Sequence, residues 1–497
     1  MTKQQALDLL FEKNTARQAL NMAGTLMHWD AATLSVPEKS ISARGAAMGW
    51  LSGEGFKRFI APDTIEAIET LESHSSELSD YERAMARELG RSYRKLKAVP
   101  PEEFQAFSAL QTEAQSVWEK AREKCDYDMM LPYYEKLFAY QRKLCDWYGY
   151  EKHPYDALLD DYEKGATVEM LDGFFSALRE KIVPLLKDIM EKGEQPKEIK
   201  GTFDLEKQRA MMPWLTEFTG YDRSRGKVGE VEHPFCITVS RNDVRITTKY
   251  HKESLLSSVY SIIHECGHAI YEQNMLEEME RYAIADCASM GMHESQSRLY
   301  ENMIGRSRTF AGRLLPQLKD KFDFFSDWDT DMLYRAINIA RPSLIRIEAD
   351  ELTYSLHIMV RYELEKGIIT GDIKVSDLPG LWSDKYNEII GLRPNNLADG
   401  VLQDVHWSMG AAGYFPSYAV GTAYGAQMMN TIKKSVDVDA AIAKEDLSPV
   451  TGWLCENVHK QGALLTPDEL LKKATGESFN PKYYVDYLSE KFTDLYL

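Results

Sequence analysis

The sequence of 497 residues carries 59 Lys and Arg against 77 Asp and Glu, a net charge of −18, and so acidic a chain argues against a nucleic-acid partner. With 44% hydrophobic and 27% charged residues it has globular composition, which excludes the disordered and fibrous classes. Its 30 Gly and 18 Pro are sparse for this length, so long elements with short connections are expected. No Gly-, Ser- or Pro-rich stretch and no repeat divides the chain. The nearest thing to a polar linker is EKGEQPKEIKG, Glu191 to Gly201, and one body over residues 1–497 is expected.

Helical spacing opens the chain, with Ala6, Leu9, Leu10, Ala16, Leu20, Ala23 and Met27 on one face. Asp8 and Glu12 interrupt what a signal peptide would need as its apolar region. Ser79 and Glu82 form a capping-box pair ahead of a helix that must stop at Pro100 and Pro101, after which EEFQAFSALQTEAQSVWEKAREK predicts another. From Pro234, PFCITVSRNDVRITTKY sets β-branched residues on either side of a polar SRND turn, which predicts a small antiparallel sheet with helix resuming near Ser254. The longest uncharged run, Val405 to Ile432, holds Pro416, Asn430 and four glycines and is too broken to span a bilayer. Six cysteines (Cys125, Cys145, Cys236, Cys266, Cys287, Cys455) lack any CxxC spacing and read as reduced thiols. The expectation is a mainly α, soluble, cytoplasmic protein with one minor sheet and no membrane partner.

Directly after the predicted hairpin comes His264-Glu265-Cys266-Gly267-His268, an HExxH inside a run of helical character, about residues 254–274. Histidines at i and i+4 share a helix face one turn apart, so both imidazoles reach one zinc ion, and Glu265 points alongside at the open coordination position. Histidine is only 11 of 497 residues, so a chance match in helical context is rare. A catalytic site needs a third protein ligand. Asp286 and Glu294, eight residues apart in RYAIADCASMGMHESQSRLYENMIG, both qualify on a predicted second helix, and spacing alone does not choose between them.

Six short blocks then occur in order: HPF (His233 to Phe235), DxRxT (Asp243, Arg245, Thr247), HExxH, HESQ (His293 to Gln296), IRxxAD (Ile345, Arg346, Ala349, Asp350) and GxxQDxHW (Gly400, Gln403, Asp404, His406, Trp407). Together they resemble the signature set of the carboxypeptidase Taq family of metallocarboxypeptidases, over the full length of the chain. The resemblance implies a helical body split by a deep active-site groove, similar to neurolysin and angiotensin-converting enzyme, with the small sheet beside it. It implies Glu294 as the third ligand and Asp286 as a supporting or structural residue. It implies a homodimer and a groove limited to unstructured peptides. The expected ion is zinc, with cobalt or manganese as substitutes because His and Glu ligands discriminate weakly among divalent metals. Within the wider group a His and a Tyr stabilise the tetrahedral oxyanion, which points to His406 and Tyr418; neutral donors on a low-dielectric wall suit that task.

A carboxypeptidase must also meet a terminal carboxylate, for which a guanidinium fork is best. Arg346 is the family-supported candidate and Arg245 the alternative; each has acidic neighbours in sequence (Glu348 and Asp350, or Asp243) that would make it a structural ion pair instead. His233 is a candidate for substrate backbone contact by strand addition, unless HPF only shapes the turn into the hairpin. Cys266 reads as a small buried hydrophobe rather than a ligand, and Gly421 and Gly425 as sites of close helix packing. The expected activity is release of single C-terminal residues, with broad specificity, by zinc-activated water and Glu265 as general base. The rivals are an oligoendopeptidase of the same architecture and a non-catalytic, zinc-stabilised peptide-binding protein.

Overall fold

A computed structural model describes all residues, 1–497. The first helix, Lys3–Thr33, starts from a capping box at Thr2. Ala6, Leu7 and Leu10 on its first turns are buried with Ala67, Ile68, Leu71 and Met85 in a small core of their own. Further along, the apolar face expected through Ala16, Leu20, Ala23 and Met27 is only half-buried, because this part of the helix overhangs the sheet. The expected capping box at Ser79 and Glu82 opens the helix Asp80–Ala98, and Pro101 starts the next, Pro101–Lys124. The main core runs from Val99 to Tyr496.

The sheet has three strands in the order β1-β3-β2: β1 (Val228–Glu230), β2 (Cys236–Ser240) and β3 (Asp243–Thr248). The predicted hairpin is β2–β3, paired antiparallel with Ile237 opposite Arg245. It is not the whole sheet, however. β1 pairs in parallel with the other side of β3, Gly229 opposite Thr247, so the sheet is mixed; a three-residue strand gives too short a pattern to be seen in sequence. Strand β2 is left as an edge.

Behind the sheet lies the motif helix, Leu255–Asn274, with Ser254 as its cap residue. The predicted second helix is shorter than expected. Residues Glu277–Tyr282 form a tight 3-10 turn ended by Ala283 in the left-handed region (φ 56°). The facing helix begins only at Met290, where the Ser289 hydroxyl accepts the Met292 N–H, and runs to Arg298 before widening into a π-helical stretch, Leu299–Ile304. The third element of the site is the wall helix, Phe415–Ile432. No helix is long and apolar enough to cross a membrane.

Candidate active site

The motif helix is apolar on nearly every side and buried along its length, apart from the face where His264 opens into a cavity of about 560 Å³. From across that cavity Glu294 meets both histidines. Its Oε2 lies 3.6 Å from His264 Nε2 and 3.3 Å from His268 Nε2, and one donor atom from each of the three falls within 4.8 Å of the others. Metal bonds of about 2.0–2.1 Å in tetrahedral array place ligand atoms about 3.3 Å apart, so the spacing fits a divalent ion. The His264 Nδ1–H is 2.8 Å from Glu301 Oε2, which turns the Nε2 lone pair towards Glu294. The His268 ring stacks on His293 at 4.1 Å, and its Nδ1 has no protein partner.

Charge supports the same assignment. Burial alone would raise the Glu294 carboxyl, but Arg298 and the two histidines hold it well below the usual carboxylate range. The Arg298 Nε donates to Glu294 at 2.7 Å and its Nη1 to Glu301 at 3.2 Å, so one guanidinium fixes both carboxylates. Glu265 differs: buried without a bonded cation, its carboxyl is pushed up to about 7. Burial and neighbouring His293 push His268 down to about 3, which keeps it neutral and able to ligate.

Three glycines let the helices approach this closely. A Cβ on Gly267 would stand 2.7 Å from the Gln296 carbonyl, one on Gly421 2.8 Å from Glu294 Cβ, and one on Gly425 3.0 Å from the Ser295 carbonyl. The facing helix is therefore clamped between the motif helix and the wall helix, as expected for Gly421 and Gly425. Tyr418 lines the cavity with Tyr414 and Ser417 from the same helix end, together with Pro234 and Phe235 and the first residues of the edge strand, Cys236 to Thr238. His406 stands just behind, with Nε2 3.5 Å from the Tyr418 hydroxyl and its ring 4.4 Å from Phe415. Burial, together with Arg346 and Arg361, lowers His406 to about 4 although Asp404 opposes this, so the ring is neutral.

From residue 10 to residue 492 the sequence matches the carboxypeptidase Taq (M32) metallopeptidase family. The chain belongs to that family. Carboxypeptidase 1 of Bacillus subtilis is 40% identical over 479 residues, 96% of this chain and 95% of the relative. Among solved structures, a Pyrococcus furiosus carboxypeptidase superposes with a TM-score of 0.94 at 34% identity, covering 98% of this chain and 99% of the other. Metallocarboxypeptidase 1 of Trypanosoma cruzi superposes at 0.93 with 36% identity, covering 98% and 99%. The chain is accordingly a metallocarboxypeptidase, and its His-His-Glu group is the set suited to the divalent metal.

For an M32 enzyme the positions of the remaining candidates are informative. Arg346 is buried and already engaged: Nε and Nη2 donate to Asp404 Oδ1 at 3.0 and 2.9 Å, and Nη1 to the Tyr354 hydroxyl at 3.1 Å. Its ion-pair partner is thus 58 residues away rather than Glu348 or Asp350, and Asp404 also receives Arg361 Nε at 2.7 Å. The guanidinium lies 5.2 Å from the Tyr418 ring, directly behind the cavity wall. Arg245 forks onto Asp243 at 2.7 and 2.6 Å beside Trp29, outside the cavity. His233 is exposed at the turn and the cavity is reached instead by Pro234 and Phe235; the Phe235 N–H donates to Thr247 Oγ1, which fastens HPF to the DxRxT block.

Asp286 is not on the second helix at all. It sits in the loop before it, accepts the Cys287 N–H, and borders the cavity without joining the His-His-Glu group. Cys266 is fully buried in the core beside Thr219, its thiol pushed up to about 12 by burial. Glu301 and Tyr414 escaped the sequence reading. The signal for Glu301 was present: it follows Glu294 by seven residues, two turns of helix on the same face.

Proposed function

We propose that this metallocarboxypeptidase uses zinc and Glu265 to release single C-terminal residues, with broad specificity, from unstructured peptides. The observation that carries the reading is the His264–His268–Glu294 trio with Glu265 beside it in one cavity. His264, His268 and Glu294 would hold the zinc, which would supply Lewis acidity to the scissile carbonyl and acidify water. With the ion bound, Glu265 would take the proton from the attacking water and pass it to the leaving amine, a role for which its place beside the trio in the same cavity suits it. The Tyr418 hydroxyl donates to the developing oxyanion, with neutral His406 setting its direction from behind.

The terminal carboxylate is drawn by Arg346, Arg361 and Asp404, a buried set with one positive charge in excess, of which Arg346 stands nearest the cavity. Edge strand β2 offers its free backbone to the upstream residues of the peptide. Six cysteines without a disulfide support a reducing, cytoplasmic setting, and the family resemblance supports a homodimer of single-domain chains. Parallel digestion of one peptide as free acid and as amide tests the exopeptidase character. Wild type should cleave the acid form at least about tenfold faster, as expected for a charge-assisted contact. Arg346→Met should remove most of that preference, and equal cleavage of both forms by wild type would overturn the reading.

A further inference from the structure

Two buried carboxylates lie outside the reaction just described, and both belong to one short stretch of chain or are held by it. The helix Pro154–Tyr162 is followed immediately by Glu163. Glu163 accepts the Ser289 hydroxyl at 2.9 Å, the Gly291 N–H at 2.9 Å and the Tyr424 hydroxyl at 3.1 Å. Those donors are the cap and first turn of the facing helix and the middle of the wall helix. At the other end, the Tyr155 hydroxyl donates to Glu365, which also accepts Trp407 Nε1–H at 2.6 Å and the Gly413 N–H at 2.9 Å. Trp407 and Gly413 lie within the loop that begins at His406 and leads to the helix bearing Tyr418.

Both contacts are made at glycines. A Cβ on Gly291 would stand 2.3 Å from Glu163 Oε2, and one on Gly413 2.7 Å from the Leu158 carbonyl; Gly413 also adopts φ 94°. Each carboxylate is buried, neither has a salt-bridge partner, and each is surrounded by three donors. Burial pushes both up to about 7 even so. A carboxylate kept in such surroundings fixes its donors in place, because each loses a hydrogen bond in a site closed to water if it moves.

We propose that Tyr155 to Glu163 forms a brace that positions both halves of the active site. Glu163 sets the facing helix and hence Glu294; Glu365, tied to Tyr155, sets the loop bearing His406. Both are positioning residues, and the proposal rests on the reading of Glu294 as a metal ligand and His406 as part of the oxyanion wall.

The two ends should separate experimentally. In Glu163→Gln, chelator competition should show metal affinity lowered by at least about tenfold, the range seen when supports of metal ligands are removed, with kcat at saturating metal little changed. In Glu365→Gln, metal affinity should stay within about twofold of wild type, while kcat falls at least about tenfold with little change in KM, as for a displaced reacting group. Should either variant fail to fold, Ser289→Ala and Trp407→Phe each remove one bond of the respective set and should give the same split in smaller measure. Wild-type metal affinity and kcat in these variants, with only the melting temperature lowered, would overturn the brace. His264→Ala serves as the control: if it binds metal as wild type does, the metal-site reading itself fails.

Discussion

The metal end of the proposed site, at the trio, and its proposed carboxylate end, the buried Arg346 cluster behind the cavity wall, are built in opposite ways. At the metal end the chemistry is local: His264 and His268 are one turn apart, Glu294 and Glu301 two turns apart, and Arg298 between the latter pair bonds both. At the other end Arg346, Arg361 and Asp404 come from three separate segments and meet only in the folded core. Helix periodicity therefore specifies the pairs His264–His268 and Glu294–Glu301, and only the meeting of two helices is left to tertiary packing, whereas every member of the second cluster depends on it. Damage at the metal end should accordingly alter chemistry with the fold intact, and damage at the carboxylate end should disturb both.

The largest expected effect tests the local end. Glu265→Gln preserves shape but cannot accept the water proton, so turnover should fall by about two to four orders of magnitude. Metal content measured on the same sample should be that of wild type; turnover near wild type would assign the base elsewhere. Next in size, Glu301→Gln should weaken metal binding by about 10- to 100-fold through loss of the His264 Nδ1–H acceptor. Unaltered affinity in a metal titration would mean that His264 is oriented by packing alone.

The carboxylate end makes its own prediction through pH. Burial and the two arginines lower His406 from 6.5 to about 4, so the unfolded chain takes up a proton at this residue before the folded one does. Its contribution to stability is complete above about pH 6.5 and is lost as pH falls towards 4. Melting temperatures recorded from pH 7 to 4 should fall less steeply for His406→Gln than for wild type, and parallel curves would remove His406 from the acid response. The smallest effect is expected for Asp286→Ala, which should leave metal content within about twofold of wild type because the residue lies in a loop outside the trio. A metal-free Asp286 variant would reopen the choice of third ligand.

The same contrast explains what the sequence could and could not disclose. The capping box at Ser79, the stop at Pro100, the β2–β3 hairpin and the motif helix follow from local rules, and the structure reproduces each. The second helix was drawn too long because nothing in RYAIAD signals the left-handed turn at Ala283 or the cap at Ser289, and Asp286 was placed on it in consequence. Strand β1 went unseen because three residues make no pattern. The link from Arg346 to Asp404 spans 58 residues, a distance over which neighbouring acids such as Glu348 are misleading guides.

For anyone redesigning the enzyme, the three glycines that clamp the facing helix divide the cavity into a fixed half and an editable half. With Gly267 against one side, Gly421 and Gly425 against the other and Glu163 holding its first turn, the helix bearing Glu294 is the fixed reference of the site. Residues Pro234 to Thr238 of the same cavity are only half-buried and lead into an unpaired strand edge. New substrate preferences are best written there, sparing Thr238, whose hydroxyl donates to Glu272 and through it supports His293 against His268.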